Sequence, residues 1–218
     1  MGVQIISEAD KFFLIGESKG EGFRLIVDCS KQLELNQNQK LDKDYSGLLE
    51  GFQVAQDSDS LHPLIRKLNL HFRLYRRSVL KPGEFAPILA QYLDEIRRVP
   101  EASKDAIGNI CNRFEEIREE FSRALKRPNP LPDVSLSKLL HCVNPASFWI
   151  LDSRVNTVLY FWGYAPSYYG FGGLLKDLFS DSEFDSLRTF LEQQNKLIAG
   201  SDQSCSFLKL LDKVLWFA

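Results

Sequence analysis

The sequence predicts a mainly α-helical fold: one compact multi-helix domain, with a small β-hairpin at its N-terminus. From residue 45 onward, apolar residues recur at three- and four-residue steps, the spacing that lines one face of a helix. Pro and Gly clusters cut that pattern into lengths suited to helices. Runs that read as strands are confined to the first third.

Taken in order, Lys11-Phe12-Phe13-Leu14-Ile15 and Phe23-Arg24-Leu25-Ile26-Val27 are short runs rich in β-branched and aromatic residues. The intervening Gly-Glu-Ser-Lys-Gly-Glu-Gly supplies turn residues, so a β-hairpin is favoured over a helical turn, which runs this short also fit. Residues 33–44 are polar and read as a loop. Leu61, Leu64, Ile65, Leu68, Phe72, Tyr75 and Val79 then predict a helix that carries Pro63 in its first turn and stops at Lys81-Pro82-Gly83. A second helix carries Phe85, Ile88, Leu89, Tyr92 and Ile96 up to Pro100. Ile107, Ile110, Phe114, Ile117, Phe121 and Leu125 form the cleanest stripe, with four glutamates and Arg118 on its wet side. Pro128-Asn129-Pro130 breaks it, because the residue before a proline avoids helical geometry. Helices are expected near 136–143, 153–163, 167–179, 183–198 and 204–216, with Ser182 and Asp185 as a capping arrangement for the fourth. The organisation expected is an N-terminal segment 1–44, a helical subdomain 45–127 and a helical subdomain 131–218, within one domain.

A chain of 218 residues with 44% hydrophobic content suffices for one substantial core. The formal charge of −2 gives no global signature of a nucleic-acid binder, although a basic patch on one face is compatible with it. Cys29, Cys111, Cys142 and Cys205 are widely spaced, without CxxC or a nearby histidine, so no metal is expected and free thiols in a reducing compartment are. No signal-peptide pattern opens the sequence, and no apolar run reaches the ~18 residues of a membrane span. The expectation is a cytoplasmic protein with no membrane partner. There is no phosphate loop, dinucleotide fingerprint, paired-acid glycosidase spacing or Ser/His triad pattern, and no cofactor is expected.

Two linked stretches carry the chemistry. Leu131-Pro132-Asp133-Val134-Ser135 precedes Ser137-Lys138. After Asn144-Pro145, the apolar run Phe148-Trp149-Ile150-Leu151 stops at Asp152-Ser153-Arg154-Val155. This order resembles the core of the helix-hairpin-helix base-excision DNA glycosylases. There a Leu-Pro-Gly-Val-Gly-type hairpin is followed, in some members, by a Lys, then by a Pro, an apolar run and Asp-Thr-His-Val. The resemblance spans residues 131–155. It implies that Asp152 is the carboxylate that stabilises an oxocarbenium-like sugar or activates the attacking group. It also implies that Lys138 is an amine nucleophile that forms a Schiff base. Such an amine must be partly neutral, which requires burial or a neighbouring cation. Lys138 precedes Asp152 by 14 residues, about a helical turn less than in the strand-cutting members. Each residue also has a plain reading, Asp152 as a helix N-cap and Lys138 as a surface lysine on a short helix. For Asp152 the two readings are compatible.

The hairpin glycines of the family let backbone amides approach a phosphate. Here Asp133 and Ser135 replace them, so this surface grips DNA less closely or meets something else. Arg66, Lys67, Arg73, Arg76, Arg77 and Lys81 follow one another with no acid among them. They form a candidate phosphate-facing strip, or cations that reach out to solvent or pair with Asp42, Asp44, Asp57 and Asp59. Tyr168 and Tyr169, in a glycine-rich stretch after the Asp152 helix, are candidates to stack an extruded base or to pack an interhelical turn. The expected partner is DNA, contacted through Arg66, Lys67, Arg73, Arg76, Arg77, Ser135, Tyr168 and Tyr169. The alternative is a non-catalytic helical module that meets a protein.

Overall fold

Alternation of apolar residues makes the N-terminal segment a sheet with one covered face. In the computed structural model, which describes residues 2–18, 24–36, 39–74, 79–199, 205–216 and 218, β1 (Gln4–Glu8), β2 (Lys11–Glu17) and β3 (Arg24–Asp28) lie antiparallel in the order β1-β2-β3. The expected pairing of β2 with β3 is present, from Phe13 opposite Asp28 to Glu17 opposite Arg24. β1 is an addition. A two-residue turn at Ala9-Asp10, both at positive φ, joins it to β2, and the sequence there lacks the Asn-Gly signal of such turns. Along β2, Phe12, Leu14 and Gly16 face inward. At Gly16 an added Cβ would stand 2.3 Å from Cδ1 of Trp162, so the missing side chain is what admits the indole. The sheet is tied to the helices at both edges. Trp162 Nε1 donates to Leu25 O at 3.1 Å, and Ile5 N donates to Asp181 Oδ2 at 2.9 Å.

Ten helices follow among the described residues: α1 (Cys29–Leu35), α2 (Gln39–Val54), α3 (Ser58–His71), α4 (Pro82–Arg97), α5 (Ile107–Ala124), α6 (Asp133–Val143), α7 (Ser153–Phe161), α8 (Tyr168–Leu178), α9 (Phe184–Ala199) and α10 (Phe207–Trp216). The loop expected over 33–44 is corrected. Asp28 caps α1, its side chain accepting from Lys31 N, and α2 already runs from Gln39. The helix expected from 61 to 79 stops at His71. Arg73 has φ of 48°, and Asn69 turns its amide back on the chain, donating to Leu80 O at 2.6 Å and accepting from Leu80 N at 3.1 Å. Pro82 and Gly83 therefore open α4 rather than close α3, Pro82 at a position where a missing N–H costs nothing. Before α9, Asp181 is the side chain that accepts a backbone N–H, from Glu183 at 2.9 Å.

The proline break at 128–130 forms the α5–α6 connection, and one hydrophobic core continues across it. Its centre is a sandwich of rings. Tyr168 of α8 stacks on Phe114 of α5 at 3.6 Å and on Trp149 at 4.3 Å. Phe148, Trp149, Ile150 and Leu151 are all buried, as their position before Asp152 leads one to expect. Cys29, Cys111, Cys142 and Cys205 are free thiols, and the first three are buried.

Candidate functional site

The neighbours Ser137 and Lys138 explain how two distant residues come together. On α6, Ser137 Oγ accepts from Leu151 N at 3.1 Å, which fastens the end of the apolar run to the helix beside Lys138. The next residue along the run is Asp152. It lies at the N-cap of α7 with extended backbone, and its Oδ1 accepts from Arg154 N at 2.8 Å and Val155 N at 3.1 Å. Its other oxygen, Oδ2, accepts from Trp216 Nε1 of α10 at 2.7 Å. The Arg154 guanidinium lies 4.0 Å from the centroid of the Trp216 ring. Asp152 is thus a helix cap, as one reading expects, and its charge sits at the end of α7 where the helix dipole favours an anion.

Lys138 is 7% exposed. The expectation of a surface lysine is corrected: the short helix that carries it is buried along most of its length. Its ammonium lies 5.3 Å from the centre of the Phe72 ring, and Lys209 of α10 lies 5.7 Å from the same centre. Lys209 donates to Asp212 Oδ2 at 2.6 Å, and Asp212 is 5% exposed. Burial pushes Lys138 below the ordinary lysine range. Asp152 and Asp212 oppose that fall, and Lys209 adds to it. For Asp212, burial raises the carboxyl above its usual range against the pull of Lys209. The charges of Lys138, Lys209, Asp212 and Asp152, from α6, α10 and the start of α7, therefore bear on one another, with Lys138 and Asp212 buried and Lys209 and Asp152 partly exposed.

A neutral pair borders these charges. His141, one turn beyond Lys138, places Nδ1 2.6 Å from Phe148 O and Nε2 2.6 Å from Tyr45 Oη of α2. A carbonyl only accepts, so Nδ1 carries the proton, and Nε2 accepts from the tyrosine hydroxyl. Burial drives the His141 pKa down to about 3, which keeps the ring neutral. The Tyr45 ring lies 5.4 Å from the Lys209 ammonium.

The remaining sequence-predicted residues divide. Ser135 is 1% exposed, one turn into α6, and Asp133 beside it is paired with Arg118 at 2.6 Å. The stretch 131–135 is therefore the entry and first turn of a buried helix. Tyr168 is 1% exposed within the ring sandwich. Neither Ser135 nor Tyr168 offers a surface to nucleic acid, and both are corrected to interior residues. Tyr169 is half exposed, with its hydroxyl donating to Asn112 Oδ1 at 3.2 Å. Arg66, Lys67 and Arg73 are exposed on and just after α3, whereas Arg76 and Arg77 lie outside the described residues.

Sequence reasoning missed Tyr45, His141, Lys209, Asp212 and Trp216 as members of the cluster. Tyr45 meets His141, and Trp216 meets Asp152, across tens of residues, and no local spacing announces such pairs. One signal was present: Lys209 and Asp212 fall among Leu208, Leu210 and Leu211, so α10 carries charge on a face otherwise apolar. No protein family, curated protein or solved structure that was compared with the chain matches it.

Proposed function

We propose that this cluster is the working centre of a divergent DNA glycosylase-like protein of the helix-hairpin-helix kind, which binds and processes nucleic acid. The reading rests on one observation. Ser137, next to Lys138 on α6, holds Leu151, next to Asp152, so a buried lysine and the carboxylate at the start of α7 are fastened to the same point, and burial lowers the pKa of the amine towards its nucleophilic form. In this proposal the Lys138 amine attacks the anomeric carbon of a nucleotide as the base leaves with the electron pair of the glycosidic bond. The fixed charge of Asp152 offsets the positive charge that develops on the sugar. Arg66, Lys67 and Arg73 supply contacts to the phosphate backbone.

The test is covalent trapping. With borohydride and duplex DNA that contains an abasic site, Lys138 should form a reduced adduct, and Lys138→Gln should not. Asp152→Asn keeps the shape of the cap and removes its charge, so DNA binding should persist while release of a damaged base stops. Binding should fall steeply from low to physiological salt, since each neutralised phosphate releases counterions. A second reading has its own observation. Trp216 occupies Oδ2 of Asp152, and Ser135 and Tyr168 are enclosed, so groups that would meet DNA are engaged internally. This arrangement suits a helical module that meets a protein and performs no chemistry. Absence of binding, base release and trapping across a panel of damaged bases would favour it.

A further inference from the structure

A groove runs along α9 beside the turn between β1 and β2, with a volume of about 570 Å³. From α9 it is lined by Asp185, Ser186, Thr189, Phe190, Gln193 and Gln194. These recur as adjacent pairs at four-residue steps, the spacing of one helix face, over a rise of about 14 Å. Asp10 and Phe12 complete the lining. Asp10 is brought there by the Ala9-Asp10 turn, both of whose residues have positive φ. The Phe12 and Phe190 rings meet with centroids 4.9 Å apart and form the deeper, apolar part. Phe12 is 8% exposed, whereas Asp10, Asp185, Ser186, Thr189 and Gln193 are open to solvent.

The chemistry of that lining selects the ligand. Among the described residues that line the groove there is no lysine, arginine or histidine, and Asp10 and Asp185 add two acids. A phosphate, nucleotide or carboxylate would therefore meet repulsion alone. An apolar ligand would strip water from carboxylates, amides and hydroxyls without replacing their hydrogen bonds. A simple cation would engage the acids and leave the amides, hydroxyls and rings unused. A ligand dense in hydroxyls fits every group present. Each sugar hydroxyl both donates and accepts. Asp10 and Asp185 accept, while Ser186, Thr189, Gln193 and Gln194 do both. The C–H face of a pyranose ring supplies the apolar side, for which Phe12 and Phe190 offer rings. The volume also falls within the ~300–1,000 Å³ of small-molecule sites.

We propose that this groove is a binding site for a neutral, hydroxyl-rich ligand, a di- or trisaccharide. Its rings lie along α9, with hydroxyls paired to Thr189, Gln193 and Gln194 and others donating to Asp10 and Asp185. The site shares no residue with the Lys138 centre, so it stands or falls independently of the DNA reading.

The experiment uses the whole chain without nucleic acid. Isothermal titration calorimetry measures binding of maltotriose, cellotriose, chitotriose and mannotriose, with spermidine and inorganic phosphate as charged comparisons. At least one of the trisaccharides should bind saturably, and neither charged probe should. Thr189 and Gln193 are exposed on a helix, where alanine is well tolerated. The double variant Thr189→Ala with Gln193→Ala should therefore keep the melting temperature of the wild type. It should weaken saccharide binding about tenfold, the loss expected from two hydrogen bonds. Phe190→Leu keeps an apolar side chain, removes the ring and should weaken binding as well. Failure of all four saccharides to bind overturns the proposal, as does binding of spermidine or phosphate in their place. Saccharide binding that survives the double variant unchanged also overturns it, because the ligand would then sit elsewhere.

Discussion

Trp149 and Asp152 are three residues apart and belong to two unlike interiors. Trp149 enters the sandwich with Tyr168 and Phe114, where stacked rings meet and its indole N–H donates to Tyr168 O at 3.3 Å. Asp152 borders a region where Lys138 and Asp212 are buried and Lys209, partly exposed, pairs with Asp212. The first interior lowers the energy of the fold by excluding water from apolar surface. The second raises it, because taking an ammonium or a carboxylate out of water costs more than modest pairing returns. A chain that keeps such a region beside a well-packed one is spending stability there, and that contrast directs attention to the Lys138 cluster rather than to the aromatic stretch.

The largest expected effect tests the apolar side. Trp149→Ala should cost about 3–5 kcal/mol, the range for emptying a large aromatic site whose surroundings cannot close over it. Denaturant melts would measure it. A loss below about 1 kcal/mol would mean that the sandwich relaxes and that the ring is not its keystone.

The charged side should respond in the opposite direction. Lys138→Met keeps the chain length, removes a buried ammonium and should raise stability by about 1–2 kcal/mol near neutral pH. The sign of the pH dependence follows from the lowered lysine. Below its folded pKa, Lys138 is protonated in both folded and unfolded chains, and the full cost of burial is present. As pH rises from that value towards the ordinary 10.5, the folded protein has released the proton while the unfolded chain still holds it, and the cost disappears. The gap between variant and wild type should therefore narrow with rising pH. A destabilised Lys138→Met protein would show that the ammonium has a partner strong enough to outweigh its desolvation.

The contrast also explains what could be read from the sequence. Helices α4 to α10 were legible because each has an apolar stripe and a proline, glycine or cap at its ends. β1 was not, since Gln4-Ile5-Ile6-Ser7-Glu8 offers two adjacent apolar residues and a turn, Ala9-Asp10, of unremarkable composition. The start of α2 was hidden by a polar stretch that carries no apolar stripe. The end of α3 was hidden because Tyr75 and Val79 prolong its period past the turn that Asn69 enforces. At the site, Lys138 and Asp152 were reached through the order of motifs around them, whereas Tyr45, Lys209, Asp212 and Trp216 join only through long-range contacts. For Tyr168 the composition fitted both base stacking and packing of an interhelical turn, and its burial fits the second, while nothing local to Ser135 announced that its helix is buried.

The smallest effect lies where the two interiors resemble each other. Tyr168 carries one polar atom into the ring sandwich. Its hydroxyl is buried and has no hydrogen-bond partner among the described residues, while burial holds its pKa well above the ordinary tyrosine value. The phenolic proton therefore stays on across the working pH range, and the group remains a neutral donor without an acceptor. Removing it deletes the unpaired dipole and leaves both stacking contacts in place. Tyr168→Phe should accordingly leave the fold intact and raise its stability by about 1 kcal/mol, the low end of the cost of an unsatisfied buried polar group. Its neighbour is the control: Tyr169 is half exposed, and Tyr169→Phe should change stability by less than about 0.5 kcal/mol, as surface changes do. Paired urea melts of the two variants would decide the matter. If Tyr168→Phe lost more than about 1 kcal/mol, the hydroxyl would have a partner worth keeping, and the sandwich would share with the Lys138 cluster a polar network rather than stand apart from it.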